Sequence, residues 1–204
     1  MDPQPNFQPI PGDLLFLDLD CFAGCDAIED VKPGINGARI THVGIFIIVE
    51  GVAYVIEAFP PEVRLTPINI YLKRALDDQL RPRICIGRLK PILRHLIPFA
   101  LQESLRLRGL PYDQVYLTGE NAYYCSELVV DAFKLANGGI EVFPEELMSF
   151  SDPNTGEVLE YWQRYYAYFG RPVPEGELGS HPASLSTSDK IDIIARMGVL
   201  HGWT

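Results

Sequence analysis

The chain lacks the features that announce many protein classes. Its longest apolar run, "VGIFIIV", falls far below the roughly 20 residues a membrane-spanning helix needs, so no span is expected. No basic stretch followed by an apolar one opens "MDPQPNFQPIPGD", so no secretory signal is expected. A full-length chain would then be cytoplasmic, and a mature form periplasmic or held in the cell envelope. Four cysteines are too few and too scattered for a disulfide scaffold. Cys21 and Cys25 stand close enough to pair or bind metal, but no second cluster completes a zinc site, and ordinary thiols are expected there. Basic residues are scarce as well. Lysine and arginine number 17 against 27 acidic residues, giving a net charge of −10. Nucleic acid and anionic membrane surfaces are therefore not expected as partners. There is no P-loop, internal repeat or low-complexity tract, and nothing implies a metal or organic cofactor.

What is present fits one α+β domain, since 204 residues are enough to bury a sizeable core. "GDLLFLDLD" reads as a strand, and "CDAIEDV" as a short helix before the turn "KPGINGA". "RITHVGIFIIV" and "VAYVIEAF" are two β-branched apolar runs parted by Glu50-Gly51, the pattern of a hairpin. "VRLTPINIYLKRAL" gives a strand end and a short helix, and "RPRICIGRL" another strand. Pro91 or Pro98 opens a helix with apolar residues at Ile97, Ala100, Leu101 and Leu105, ending at Gly109. After the loop "YDQVYLTGENAYY", a helix is expected from Cys125 to Ala136, closed by Asn137-Gly138-Gly139. Residues 140–204 read as a helical and loop-like C-terminal extension. It comprises the aromatic helix "EVLEYWQRYYAYFG", the loop "RPVPEGELGSHPASLSTSD" and a last short helix in "KIDIIARMGVL". The aromatic helix is expected mainly to cover the core.

The stretch "YYCSELVVDAF" sets a cysteine at the first turn of its helix. There the free backbone N–H groups and the helix dipole favour an anion, by roughly 0.3–1 kcal/mol. The Cys125 N–H also points where an oxyanion would develop, a donor typically worth about 10²–10³ in rate. Taken alone, Cys125 reads better as a buried packing residue, since free cysteine is among the most buried residue types. A thiol nucleophile needs a base, and the base needs an orienting group. Of four histidines, His95 belongs to a helix surface, His181 to a polar tail and His201 to the C-terminus. His42 instead lies inside an apolar strand, an awkward place for an imidazole, and the partner strand carries Glu57 in the same situation. A carboxylate is seldom buried without a partner.

If Glu50-Gly51 is a two-residue turn, Glu57 lies opposite Gly44 and diagonal to His42. The two would then share one face with Cα atoms roughly 7–8 Å apart. Both are expected to point toward the start of the Cys125 helix.

Together "GDLLF", "THVGIF", "YVIEA", "RGLPYD" and "YYCSEL" resemble the YiiX/YebB-like group, the circularly permuted branch of the NlpC-type papain-like superfamily, from about Gly12 to Phe133. The resemblance implies a permuted papain-like fold, an antiparallel sheet packed against helices, with the histidine strand preceding the cysteine helix. It also implies a Cys–His–polar triad, which falls on Cys125, His42 and Glu57; beside the nucleophile, Tyr124 is expected to bind substrate by helping the oxyanion hole. The implied activity is that of a cysteine amidase or peptidase acting on a peptide, a cell-wall fragment or an N-acyl amide. Two alternatives stand beside it. One is a lipid-directed acyltransferase or thiol esterase using the aromatic segment as an acyl groove, and the other is a non-catalytic binding module.

Overall fold

The computed structural model describes residues 8–20, 27–28, 31–119 and 121–204. Cys21, Cys25 and most of the helix expected in "CDAIEDV" lie outside the described residues. Six strands form one antiparallel sheet. These are β1 (Leu14–Leu17), β2 (His42–Val49), β3 (Val52–Phe59), β4 (Glu62–Pro67), β5 (Ile84–Leu89) and β8 (Ile191–Met197), in the order β4-β3-β2-β1-β5-β8. β6 (Glu146–Leu147) and β7 (Leu178–Gly179) pair separately.

The β2–β3 hairpin follows from local chemistry. Glu50 and Gly51 both take positive φ, 51° and 78°, the two-residue turn whose twist matches antiparallel strands. Register runs from Val49 opposite Val52 to Ile45 opposite Ile56, which puts Gly44 opposite Glu57 on the next rung. The alternation of the sheet then sorts its side chains. Phe16, Val43, Ile45, Ile56 and Ala58 face one core, covered by α2 (Ile97–Arg106) and α3 (Cys125–Ala136). Leu15, Leu17, Phe46, Val55 and Ile86 face a second core, closed by Tyr71 of α1 (Ile68–Leu72) and by Ala75. A third cluster forms where α4 (Glu160–Tyr168) sets Trp162 and Tyr166 against Val115 and Phe150.

Pro91 opens a 3₁₀ turn, Pro91–Leu96, that leads into α2, where Pro98 occupies the first turn. α3 ends as expected. The Gly139 N–H reaches back to the Lys134 carbonyl at 2.8 Å, with Gly138 and Gly139 at φ 67° and 88°.

Two expectations for the C-terminal segment need correction. The last helix read in "KIDIIARMGVL" is strand β8, an outer strand of the main sheet beside β5. A register shift between Ile86 and Gly87 leaves Ile194 without a paired residue, so the strand changes face midway. Ile191 and Ile193 join the α3-side core, whereas Ala195 and Met197 join the other. The loop-like stretch before it contains β7 and the short helix α5 (Pro182–Ser186).

Candidate active site

His42 is the first residue of β2 and Cys125 the first of α3, so each stands at the end of its element. His42 Nε2 lies 2.6 Å from Glu57 Oε2, with the two side chains 5% and 0% exposed. The diagonal pairing across Gly44 is what allows this. A Cβ at Gly44 would come within 3.2 Å of Glu57 Cβ and within 2.4 Å of a Val55 methyl. With Nε2 committed to Glu57, Nδ1 is the nitrogen left to face the Cys125 thiol.

The pair does share a face, but that face is the Tyr71 side of the sheet, not the side on which α3 packs. The His42 ring sits 5.7 Å from the Tyr71 ring and 5.4 Å from that of Phe59. The thiol meets it because both residues stand at element ends, so the contact forms around the end of β2.

Glu57 has further partners. Thr66 of β4 donates a short hydrogen bond to Oε1, and Arg74 Nη1 lies 2.7 Å from both carboxylate oxygens. Burial alone would raise the Glu57 pKa, but His42, Arg74 and Thr66 outweigh it and hold it below the usual value. For His42, burial alone would lower the pKa. Hydrogen bonds and charge from Cys125 and Glu57 outweigh it and raise it to about 9. An imidazolium facing the thiol is the state that stabilises a thiolate. At Cys85, which has no such partner, burial pushes the thiol up to about 12.

The start of α3 is prepared for charge. Leu128 makes the first intrahelical bond, to the Tyr124 carbonyl at 3.1 Å, which leaves the N–H groups of the first turn without helix acceptors. Glu127 Oε2 accepts the Tyr124 N–H at 3.3 Å. Burial raises the Glu127 pKa to about 8, so near neutrality it is mostly uncharged and does not oppose a thiolate nearby. The Tyr124 hydroxyl is engaged, accepting the Ser180 N–H at 2.8 Å, while the residue lines the cavity described next.

Cys125 and His42 open onto a cavity of about 650 Å³. Tyr116, Phe150, Tyr161, Trp162 and Tyr165 form an aromatic wall, continued by Leu147 and Met148. The wall is held rigidly, since Tyr165 Oη donates to the Gln114 carbonyl at 2.7 Å and Trp162 Nε1 to the Ala27 carbonyl at 3.3 Å. The aromatic helix thus covers the core with Tyr166 and faces the cavity with Tyr161 and Tyr165. Lys32 and Glu146 form an ion pair on the same lining, with the Ser184 hydroxyl also donating to Glu146. Ser126 borders the cavity, and its buried hydroxyl has no partner among the described residues.

His181, read from sequence as part of a polar tail, also borders this cavity and caps α5, its Nδ1 accepting the Ala183 N–H at 3.1 Å. Burial lowers its pKa to about 4, so it is neutral near pH 7. Thr66 and Arg74 gave no sequence signal of their own. Thr66 follows once the Glu57 face is extended to β4, but Arg74 reaches Glu57 from beyond α1.

Among the described residues, one group has metal-ligand character. Donor atoms of Asp18, Asp20 and His201 lie within 4.8 Å of one another. They are already engaged, since Arg83 bonds Asp20 and approaches Asp18 at 3.7 Å, and His201 donates its N–H to Asp18 at 2.6 Å. No described helix is long and apolar enough to cross a membrane.

Comparison with known proteins agrees with this architecture. The uncharacterized protein YiiX of Escherichia coli (strain K12) is 23% identical over 197 residues, covering 97% of this chain and 91% of that protein. The crystal structure of metalloprotein yiiX from Escherichia coli O157:H7 matches with a TM-score of 0.74 at 20% identity, covering 93% of this chain and 98% of that one. At that identity the likeness speaks for the fold. The family described as permuted papain-like amidase enzyme, YaeF/YiiX, C92 family, matches residues 8–195. The chain therefore belongs to the permuted papain-like amidases of the YaeF/YiiX group, enzymes of the cysteine peptidase and amidase type.

Proposed function

We propose that the chain is a cysteine amidase using Cys125, His42 and Glu57, and that its substrate is an amide bearing a bulky apolar acyl or aromatic group. One observation carries the catalytic part of this reading. The buried His42 ring is held by Glu57 at 2.6 Å and shares one cavity lining with Cys125. Near neutral pH His42 then carries its proton, and the reactive form of the pair is thiolate and imidazolium. The Cys125 sulfur attacks the amide carbonyl carbon, and the carbonyl electrons move onto oxygen, beside the Cys125 N–H. Collapse breaks the C–N bond as His42 gives its proton to the departing amine. Water next attacks the thioester, His42 takes its proton, and the acid leaves as the thiolate is restored. Glu57 holds the ring in one tautomer throughout.

The aromatic wall supports the substrate class, because a large apolar cavity gains most from apolar surface removed from water, at about 25 cal/mol per Å². The same wall favours, as a second reading, acyl transfer or thioester and ester hydrolysis on lipid-like acyl groups, since the acyl-enzyme would be shared and only the acceptor would differ. The Escherichia coli relative is called a metalloprotein, but the Asp18, Asp20 and His201 group of this chain does not fit a cation. Arg83 supplies the positive charge a cation would bring there, and no step above depends on a metal.

The test is kinetic. Assayed on N-acyl anilides of increasing chain length, Cys125→Ala and His42→Ala should lose activity by at least about 10³-fold. Longer chains should raise kcat/KM in the wild type. Retained activity in Cys125→Ala would end the proposal, and preference for short polar peptides would end its substrate half.

A further inference from the structure

Glu57 is fully buried and therefore depends on its partners, and those partners change during the proposed reaction. While His42 is protonated, the carboxylate faces a cation at 2.6 Å. Once His42 has passed its proton to the leaving amine, that cation is gone. A fully buried carboxylate left with a neutral imidazole and one hydroxyl is costly, so it resists the proton transfer that creates it.

Arg74 stands where this cost can be met. Its Nη1 is 2.7 Å from both Glu57 oxygens, and its side chain is only 17% exposed. Its guanidinium lies 3.9 Å from the centre of the Phe59 ring and 5.8 Å from that of Tyr71, which fixes its plane. Phe59 in turn packs edge-on against His42.

The other groups around the pair do not supply the same charge. Tyr71, from α1, donates its hydroxyl to the Leu15 carbonyl, and burial keeps it un-ionised. Arg64, from β4, is a second cation, paired across the sheet with Glu57 and 5.2 Å from the Phe59 ring centre, but its buried Nε has no hydrogen-bond partner among the described residues and it forms no ion pair with the carboxylate. Thr66 contributes a neutral hydroxyl. From α3 comes Cys125, an anion while it is a thiolate and a neutral thioester after acylation.

We infer that Arg74 is a positioning residue of the reaction, holding Glu57 ionised when His42 is neutral and so keeping the imidazolium acidic enough to protonate an amine leaving group. The inference rests on the proposed triad. Lysine at position 74 would keep the charge but lose the flat, stacked fork.

The first test needs no substrate. Histidine titration by NMR should place the His42 midpoint near 9 in the wild type. In Arg74→Met the midpoint should rise by about one unit, because an unrelieved Glu57 holds the proton harder. Arg74→Lys should stay close to wild type. The second test is the ratio of kcat on an N-acyl anilide to kcat on the matching p-nitrophenyl ester, whose leaving group needs no proton. Arg74→Met should lower that ratio at least tenfold with the ester rate nearly kept. An unchanged midpoint and ratio in a folded Arg74→Met protein would overturn the inference. If that variant does not fold, Arg74→Gln replaces it, with the same shift required. Cys125→Ala is assayed in parallel. If it stays active, the triad reading itself has failed. If it is inactive while Arg74→Met behaves as wild type, only the role of Arg74 has failed.

Discussion

Replacing Gly44 with alanine probes the link between the hairpin and the site. The added Cβ would lie 2.4 Å from a Val55 methyl, 3.1 Å from the Ile56 carbonyl oxygen and 3.2 Å from Glu57 Cβ. Ordinary contact begins near 3.4 Å, so the Val55 methyl must move by about 1 Å. It has little freedom, because Val55 is fully buried and β-branched residues are stiff at χ1. Overpacking of this kind costs about 1–3 kcal/mol, or roughly 2–12 °C in melting temperature for a chain of this size. Glu57 must also shift by a few tenths of an ångström, which loosens its hold on the imidazole. Since ~1 Å misplacements near chemistry cost on the order of 10²-fold, a fall in kcat of about tenfold is expected. Gly51→Ala is the control. Gly51 sits at positive φ in the turn with nothing within 4 Å of an added Cβ. It should lose about 1 kcal/mol through backbone strain alone and keep its kcat. Urea melts and initial rates on both variants decide the matter. A Gly44→Ala protein with wild-type stability and rate would refute the argument that the glycine makes room for the His42–Glu57 pair.

Three further outcomes are expected. Brief iodoacetamide treatment followed by peptide mapping should label Cys125 well before Cys85, whose thiol is held near 12 by burial; equal labelling would contradict an activated nucleophile. The upper limb of the pH profile of kcat/KM should bend near 9, because His42 is protonated below that value and the imidazolium is lost above it; a bend near 6.5 would remove the ion pair from the account. His181, neutral in the fold with a pKa of about 4, should make the wild type lose stability relative to His181→Asn as pH falls from about 6.5 toward 4, since only the unfolded chain readily takes up the proton. Parallel stability curves for the two proteins would show that His181 titrates as an exposed residue.

The parts of the fold legible in the sequence are those set by local chemistry. Glu50-Gly51 fixes its own turn type, the turn fixes the register, and the register brings His42 and Glu57 to one face. Asn137-Gly138-Gly139 likewise ends α3 without help from elsewhere. The last strand was hidden because its bulge at Ile194 breaks the two-residue alternation and turns Ala195 and Met197 to the opposite face from Ile191 and Ile193. That leaves an apolar spacing that imitates a helix. That His42 and Glu57 share the Tyr71 side and not the side on which α3 packs was not legible, because strand parity says nothing of which layer a helix end reaches around. Arg74 was out of reach for a related reason. It is 17 residues from Glu57 and beyond a short helix, so no spacing rule connects them. The aromatic segment was read as core cover and proved two-sided, since a helix of nine residues carrying five aromatic rings has too many for one face.

The central claim is that Cys125 forms a covalent acyl intermediate. Incubation with a p-nitrophenyl ester of a medium-length fatty acid, quenched in acid and read by intact mass and peptide mapping, tests it directly. The account predicts one added acyl mass, located on the peptide containing Cys125 and lost on standing at neutral pH. It also predicts that the mass is absent from Cys125→Ala and persists longer in His42→Ala if that variant is acylated at all. No adduct, or an adduct carried by another cysteine while Cys125 stays free, would contradict it.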